Sequence, residues 1–260
     1  LKGLINVAIV VDGDTVQIKE NQSPGAEFSI SLVLTNGLHV LKVICLNSGG
    51  EGVTASIKTF TGEDMPQIPT EVTAVAEESG KVTLSWTLPE AGINGGWVNL
   101  TKVSYDILRN GESLSTDIKE TTYIDNLPEN ELKSYKYTVI VKFGGEECGS
   151  VESNSVVFGK AVSLPYEQTF EDASSFDLLN IIDNNGDGVT WQFDTGQFSA
   201  GYTFSADNAA DDYLVLPKMT FKAYNVYQLS FDICSGSGYN AEIIGVKVGA
   251  EPSVESLSTI

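Results

Sequence analysis

The chain has 260 residues, 42% of them hydrophobic, so it is long enough for two or three domains with buried cores. Its formal net charge of −20 argues against nucleic acid and anionic membrane surfaces as partners, because both attract clustered Lys and Arg. No stretch approaches about 18 consecutive apolar residues, so we predict no membrane insertion.

Residues 1–66 are predicted to form an Ig-like antiparallel β-sandwich. Apolar residues alternate with polar ones in several short runs, and turn residues such as Asp12-Gly13-Asp14 separate these runs. No window shows a sustained 3.6-residue apolar period, so long helices are not expected. Strands are predicted at Ile5–Val11, Thr15–Ile18, Phe28–Leu34, Val40–Leu46 and Val53–Phe60.

A connector follows the first predicted domain. The segment Glu63–Pro69 contains two prolines and shows no alternation of apolar and polar residues. This composition is typical of a semi-rigid, extended linker.

Residues 67–159 carry a pattern of aromatic and apolar residues with a known counterpart. Trp86 lies on the second predicted strand, Tyr105 begins a Tyr-x-Ile-x-Arg strand, and Leu127 precedes a strand that begins at Tyr137. These residues resemble the fibronectin type III family. The resemblance implies a two-sheet sandwich in which Trp86 is buried and the Tyr137 hydroxyl bonds a backbone group at a loop corner.

Two segments depart from the fibronectin type III pattern. Gly92–Leu100 and Pro128–Ser134 both look like insertions, and the first contains Trp97. Modules of this type commonly act as spacers, so the resemblance says little about function.

The C-terminal region, residues 160–260, contains a short acidic run at Ile182–Trp191. The net charge of residues 159–260 is −10, half of the charge of the whole chain. Asp183, Asn185 and Asp187 place oxygen donors at every second position, so the donors can converge on one cation when the loop curls. Gly188 permits that curl. We therefore predict a calcium site here.

The acidic run differs from an EF-hand loop. An acid stands at position 12, Asp194, but position 9 is Trp191, which has no oxygen to donate, and the flanking residues alternate like a strand. A calcium-braced β-loop is the favoured interpretation. A double turn formed by Asn185-Gly186 and Asp187-Gly188 without any metal stays open as the alternative.

Four motifs in the C-terminal region occur in the order of a second family. They resemble the cleaved-adhesin domain, also called choice-of-anchor J, known from the haemagglutinin regions of gingipain-type surface proteases. The resemblance implies a galactose-binding-like jelly roll, here partial because the family domain is longer, with structural calcium and a role in adhesion. The motifs are Leu164–Asp172, Ile182–Trp191, Ala210–Pro217 and Gly245–Gly249.

The resemblance extends the set of candidate calcium ligands. Glu171 and Asp172 match an acidic N-terminal strand that in related jelly rolls often lies beside a cation. Asn185 stands where Asp is more common in the family. The full candidate set is Asp183, Asn185, Asp187, Asp194, Glu171 and Asp172.

Catalytic constellations have little support in the sequence. His39 is the only histidine and is predicted to be a sheet-surface residue, so a Ser-His-Asp triad or a zinc site lacks partners. Adjacent acids such as Asp211-Asp212 are predicted to be solvated surface residues. Exposed aromatics are the candidate ligand contacts, although a place in the core is the alternative for each of them: Trp97, Tyr202, Phe204 and Tyr239.

The sequence therefore predicts an all-β chain of tandem β-sandwiches without catalytic activity. We expect a fragment of an exported bacterial protein, secreted or on the cell surface, that binds host protein or glycan. Two alternatives stay open: accessory modules of a larger secreted peptidase or glycosidase, and a purely structural stalk.

Overall fold

The computed structural model describes residues 3–205, 207–234 and 243–259. Strands make up 46% of the described residues and helices 4%, which confirms the all-β prediction. The proposed division into domains at residues 66 and 159 stays a prediction. The chain forms two compact units, the first made of Leu1–Ala74, Thr83–Tyr123 and Lys136–Asn154, and the second of Val75–Val82, Ile124–Tyr135 and Ser155–Ile260.

The N-terminal sheet consists of four antiparallel strands. They are β1 (Ile5–Val11), β2 (Asp14–Gln22), β3 (Gly37–Asn47) and β4 (Gly50–Thr61), in the order β2–β1–β3–β4. The predicted turn between β1 and β2 is confirmed, with positive φ angles of 54° at Asp12 and 99° at Gly13. Ala8, Val10 and Ile44 form a buried cluster on the central strands.

The strand predicted at Phe28–Leu34 is wrong. Residues 23–36 form no strand, yet their side chains alternate as predicted, since Ile30, Leu32 and Leu34 are half-buried between exposed neighbours. Alternation of apolar and polar residues indicates only which side chains face the sheet. A strand also needs a neighbour that pairs with its backbone N–H and C=O groups, and the described part of the chain provides none here.

Nine strands lie within residues 72–158. A four-stranded sheet has the order β12–β11–β7–β8, a three-stranded sheet the order β5–β6–β9, and β10 pairs with β13. Three strands in one sheet and four in the other are the arrangement of an Ig-type sandwich, in agreement with the fibronectin type III resemblance. The strands are β5 (Val72–Ala76), β6 (Lys81–Trp86), β7 (Val103–Arg109), β8 (Glu112–Ile118), β9 (Thr122–Asn126), β10 (Lys133–Tyr135), β11 (Tyr137–Phe143), β12 (Glu146–Glu152) and β13 (Val156–Phe158).

The predicted core aromatics of this sandwich are confirmed. Tyr105 and Tyr137 are fully buried, and Trp86 and Leu127 are almost so. The rings of Trp86 and Tyr105 meet edge to face with centroids 5.2 Å apart, a favourable arrangement for aromatic pairs. Burial raises the pKa of Tyr105 above its ordinary value.

The C-terminal region contains short antiparallel strand pairs. The pairs are β14–β17, β15–β16 and β18–β19, so the jelly roll stays a prediction. None of the described helices is long and apolar enough to span a membrane. The elements are α1 (Ala173–Phe176), β14 (Asn180–Asp183), β15 (Gln192–Asp194), β16 (Ser199–Gly201), β17 (Asp212–Val215), β18 (Lys247–Val248) and β19 (Ser258–Thr259), with a 3₁₀ turn at Val254–Ser256; another 3₁₀ turn, Leu100–Lys102, precedes β7.

Candidate functional site

The acidic loop is organised by the carboxylate of Asp183, the last residue of β14. Its Oδ1 accepts hydrogen bonds from the backbone N–H groups of Gly186 at 2.7 Å and Asp187 at 3.3 Å, and its Oδ2 accepts one from Gly188 at 2.8 Å. Gly186 and Gly188 have positive φ angles of 70° and 77°. The loop therefore curls as predicted, and glycine supplies the backbone freedom that the curl needs.

The other two predicted donors of the loop also bond its own backbone. Asn185 Oδ1 accepts from the N–H of Asp187 at 3.2 Å, and Asp187 Oδ1 accepts from the N–H of Val189 at 2.8 Å. The structure thus brings the three predicted donors together in one turn. Their hydrogen bonds are those of the double turn that the sequence left open as the alternative.

The acidic loop is attached to a second acidic segment that sequence reasoning had assigned to solvated surface. The side-chain amide of Asn184 donates to Asp211 Oδ2 at 2.5 Å, and its backbone N–H donates to the Asp211 carbonyl oxygen at 3.2 Å. Asn185 Nδ2 donates to the carbonyl oxygen of Ala209 at 2.9 Å. In the sequence, this contact is indicated only by the motif Ala210–Pro217, which follows the acidic run in the motif order described above.

Three oxygens in or near the acidic loop and β17 are each buried without a hydrogen-bond partner among the described residues: Asp187 Oδ2, Thr190 Oγ1 and Asp212 Oδ1. The β14–β17 register places Asp183 directly opposite Asp212, whose Oδ2 accepts from the Tyr202 hydroxyl at 2.8 Å. Like charges opposite each other destabilise a strand pair, and orphaned buried oxygens are costly. Such carboxylate and hydroxyl oxygens fit the ligand preference of calcium.

The remaining predicted calcium ligands make their described contacts elsewhere. Asp194, at the end of β15, accepts hydrogen bonds from two backbone N–H groups of the next turn. Asp172 caps α1, and hydrogen bonds from Ser174 and Ser175 lower the pKa of its carboxyl group. Glu171 is exposed.

Metal-site geometry is not found within residues 3–205, 207–234 and 243–259. No three or more His, Cys, Asp or Glu side chains are grouped there as they would be around a metal ion. Both oxygens of Asp183 and the Oδ1 of Asp187 instead accept hydrogen bonds from backbone N–H groups of the loop. Calcium therefore stays a prediction, supported by the orphaned oxygens alone.

Three of the four motifs are in contact with one another within the second unit. The ring of Phe176 lies 6.4 Å from that of Phe170, in the first motif, and 6.0 Å from that of Phe193, on β15 after the acidic loop. The ammonium of Lys247, in the last motif, lies 4.7 Å above the ring of Tyr213 on β17. Because β17 pairs with β14, the second, third and last motifs are in direct contact, whereas the first motif contacts Phe176, which lies outside the motifs.

The aromatic candidates for ligand contact differ in exposure. Trp97 is 64% exposed and Phe204 is 59% exposed. Tyr202 is not a free ligand contact, because its ring packs against Trp191 at 5.5 Å and its hydroxyl is bonded. Tyr239 lies outside the described residues. Trp97 and Phe204 thus stay as candidates.

Trp97 is held in place by a buried carboxylate that sequence reasoning missed. Asp64 is 1% exposed, and its oxygens accept four hydrogen bonds of 2.9–3.0 Å, two from Asn94 and one each from the N–H groups of Met65 and Gly96. Burial alone would raise the pKa of Asp64, but these hydrogen bonds hold it below its ordinary value. The Asp64 N–H also donates to the carbonyl oxygen of Trp97 at 2.8 Å.

The connector, which the sequence predicts to be semi-rigid and extended, is consequently attached to the inserted loop. Glu63 accepts from Asn99 Nδ2 at 3.0 Å and pairs with Lys102 at 2.5 Å. A Cβ at Gly92 would lie 2.2 Å from Asp64 Oδ2, so the close approach requires glycine. The sequence shows a glycine-rich turn at Asn94-Gly95-Gly96, but nothing in it indicates that this turn meets Asp64, which lies 30 residues earlier.

Comparisons with known proteins add little to these observations. The sequence matches no protein-family model and no curated protein. A crystal structure of the chicken CNTN1 FN1–FN3 domains is similar over 61% of this chain and 57% of that chain, at 16% identity and a TM-score of 0.26. The match thus spans little more than half of that protein's solved length. Our assignment of the sandwich depends on strand order and the buried aromatics.

Proposed function

We propose that this chain is a non-catalytic, adhesin-type segment of an exported bacterial surface protein. The observation that supports this proposal best is the contact among three adhesin-like motifs in the second unit, through the β14–β17 pairing and the contact of Lys247 with Tyr213. Motifs that occur in order by chance have no reason to meet in the fold. The second unit is accordingly our candidate for binding host protein or glycan.

Calcium in this proposal braces the acidic loop. Asp187, Thr190 and Asp212 would hold the ion through their orphaned oxygens. A bound divalent cation supplies positive charge between carboxylates that otherwise repel each other. The chain's own residues then keep the loop attached to β17 through Asn184 and Asn185.

Ligand contact is assigned to Phe204 and, in the first unit, to Trp97. Both rings are exposed, and exposed aromatics stack on sugar faces or fill pockets of a protein partner. Phe204 follows Tyr202, whose hydroxyl is bonded to Asp212 in the acidic site. Calcium bound at the acidic site would therefore also help to position Phe204, through Tyr202.

Binding of the intact chain to glycan arrays and to immobilised host matrix proteins tests the proposal. We expect saturable binding that weakens on chelation of calcium and is lost in Phe204→Ala. Phe198→Ala is the matched control, because Phe198 is 58% exposed in the same unit, and it should bind like the parent chain. A folded chain that binds none of these ligands would contradict the adhesin function.

A structural stalk is the second candidate, and one observation favours it. The connector beside Asp64 is held by hydrogen bonds and an ion pair, as a spacer that resists bending requires. A stalk would keep full stability while showing no ligand binding in the same arrays. The two functions are therefore separated by one experiment.

A further inference from the structure

His39 occupies a different environment from the sheet surface that its sequence context predicts. The residue is 7% exposed, and both ring nitrogens have partners. Nδ1 lies 2.6 Å from Asp12 Oδ2, and Nε2 lies 2.8 Å from the carbonyl oxygen of Thr35. A carboxylate and a carbonyl only accept hydrogen bonds, so the ring satisfies both partners when both nitrogens carry hydrogen. That form is the imidazolium cation.

The carboxylate of Asp12 is ionised in this arrangement. Its Oδ1 accepts the backbone N–H of Val40 at 2.8 Å, and this bond, followed by the bond to His39, lowers the pKa of Asp12. The hydrogen bonds to Asp12 and then to Thr35 raise the pKa of His39 above its ordinary value of about 6.5. Geometry and protonation therefore favour the same ion pair.

The groups around the ring are acidic or uncharged. Asp14 lines the same cavity of about 290 Å³ as His39 and Asp12. The residue opposite His39 on β4 is Thr59. The segment of residues 32–35 contributes three apolar side chains and Thr35 to the cavity. Among the residues that line this cavity, Asp14 is thus the charged group besides Asp12, and it makes no bond to the ring.

The contact to Thr35 lies at the end of the segment that forms no strand. The Thr35 carbonyl oxygen accepts hydrogen bonds from His39 and from the Thr61 hydroxyl. Leu32 and Leu34 line the cavity next to the ring. The attachment of this extended segment to the sheet therefore includes a group that changes charge near neutral pH.

We propose that His39 is a pH-sensitive clasp that holds residues 32–36 against the N-terminal sheet while its ring is protonated. The folded chain binds the proton more tightly than the unfolded chain. The stabilisation is complete below the ordinary histidine pKa and is lost as pH rises through the raised value. At the acid end, the clasp is lost as pH falls through the lowered pKa of Asp12.

The titration of the ring tests the protonation that the clasp requires. His39 is the only histidine, so its imidazole signal in an NMR spectrum needs no further assignment. We expect a pKa above about 6.5 in the parent chain and a lower one in Asp12→Asn. In Asp14→Asn, which removes a carboxylate without removing a bond to the ring, the pKa should stay raised. A parent pKa at or below about 6.5, or equal losses in both variants, would overturn the proposal.

Amide hydrogen exchange of residues 32–40 tests the release itself. After correction for intrinsic exchange, we expect several-fold less protection at about pH 8.5 than at about pH 5.5. His39→Gln keeps a neutral polar group at the position and should show the weaker protection at both pH values. Equal protection of the parent chain at both pH values would show that the ring does not hold the segment.

Discussion

Asp64 shows how one side chain fixes a contact between two segments that the sequence separates. Replacement by Asn would turn a donor toward the N–H groups of Asn94 and Gly96, which now share Asp64 Oδ2. We expect Asp64→Asn to lower the free energy of unfolding by about 2–3 kcal/mol, since buried donors are left without acceptors. Urea denaturation followed by tryptophan fluorescence measures the change.

Glu90→Gln is the control for that substitution, because Glu90 is exposed and the change also removes one negative charge. It should alter the free energy of unfolding by less than about 0.5 kcal/mol. Equal effects of the two substitutions would mean that net charge, and not the bonds of Asp64, determines stability.

The carboxyl group of Asp64 also makes the free energy of unfolding depend on pH in the acid range. Because its pKa is lowered in the folded chain, the unfolded chain binds more protons just below the ordinary Asp pKa. The contribution of Asp64 is therefore present above about pH 4 and is lost as pH falls through the folded pKa. The difference in stability between the parent chain and Asp64→Asn should shrink over that range in denaturation measured at successive pH values.

At the scale of elements, the inserted loop depends on a close approach that only glycine permits. A Cβ on Gly92 would lie 2.2 Å from Asp64 Oδ2. Gly92→Ala should therefore cost about 1–3 kcal/mol in urea denaturation, since the loop or the carboxylate must move. A Cβ on Gly3 meets nothing within 4 Å, so Gly3→Ala is the control and should be neutral. Similar stability of both variants would contradict the close packing of this loop.

Local patterns in the sequence predict the turns and buried residues of this chain better than they predict which segments pair as strands. The turn at Asp12-Gly13 and the burial of Trp86, Tyr105 and Tyr137 follow from turn chemistry and from the size of aromatic rings. The segment Phe28–Leu34 has the side-chain alternation of a strand without the pairing, because pairing depends on a distant segment.

The candidate site was predictable to the same limited extent. The curl of the loop at Asp183 and Gly188 follows from spacing and glycine. Its attachment to Asp211 and Asp212 depends on the β14–β17 register, which joins segments far apart in sequence. His39 and Asp64 were unpredictable for the same reason, since each meets partners contributed by separate turns and loops.

Across the whole molecule, the described residues form antiparallel sheets and short strand pairs that carry exposed rings such as Trp97 and Phe204. The first unit holds its connector through Asp64, and in the second unit β14 and β17 join the acidic loop to the segment that contains Asp211 and Asp212. We propose that the acidic site of the second unit binds calcium.

Thermal unfolding of the intact chain with calcium and with EDTA tests that claim most directly. Ligand linkage predicts about 2.7 kcal/mol of stabilisation at a calcium concentration 100 times the Kd, seen as a higher Tm for the transition of the second unit. The shift should disappear in Asp187→Asn and persist in Asp177→Asn, which removes an exposed carboxylate of the same unit. An identical Tm with calcium and with EDTA in the parent chain would contradict the account.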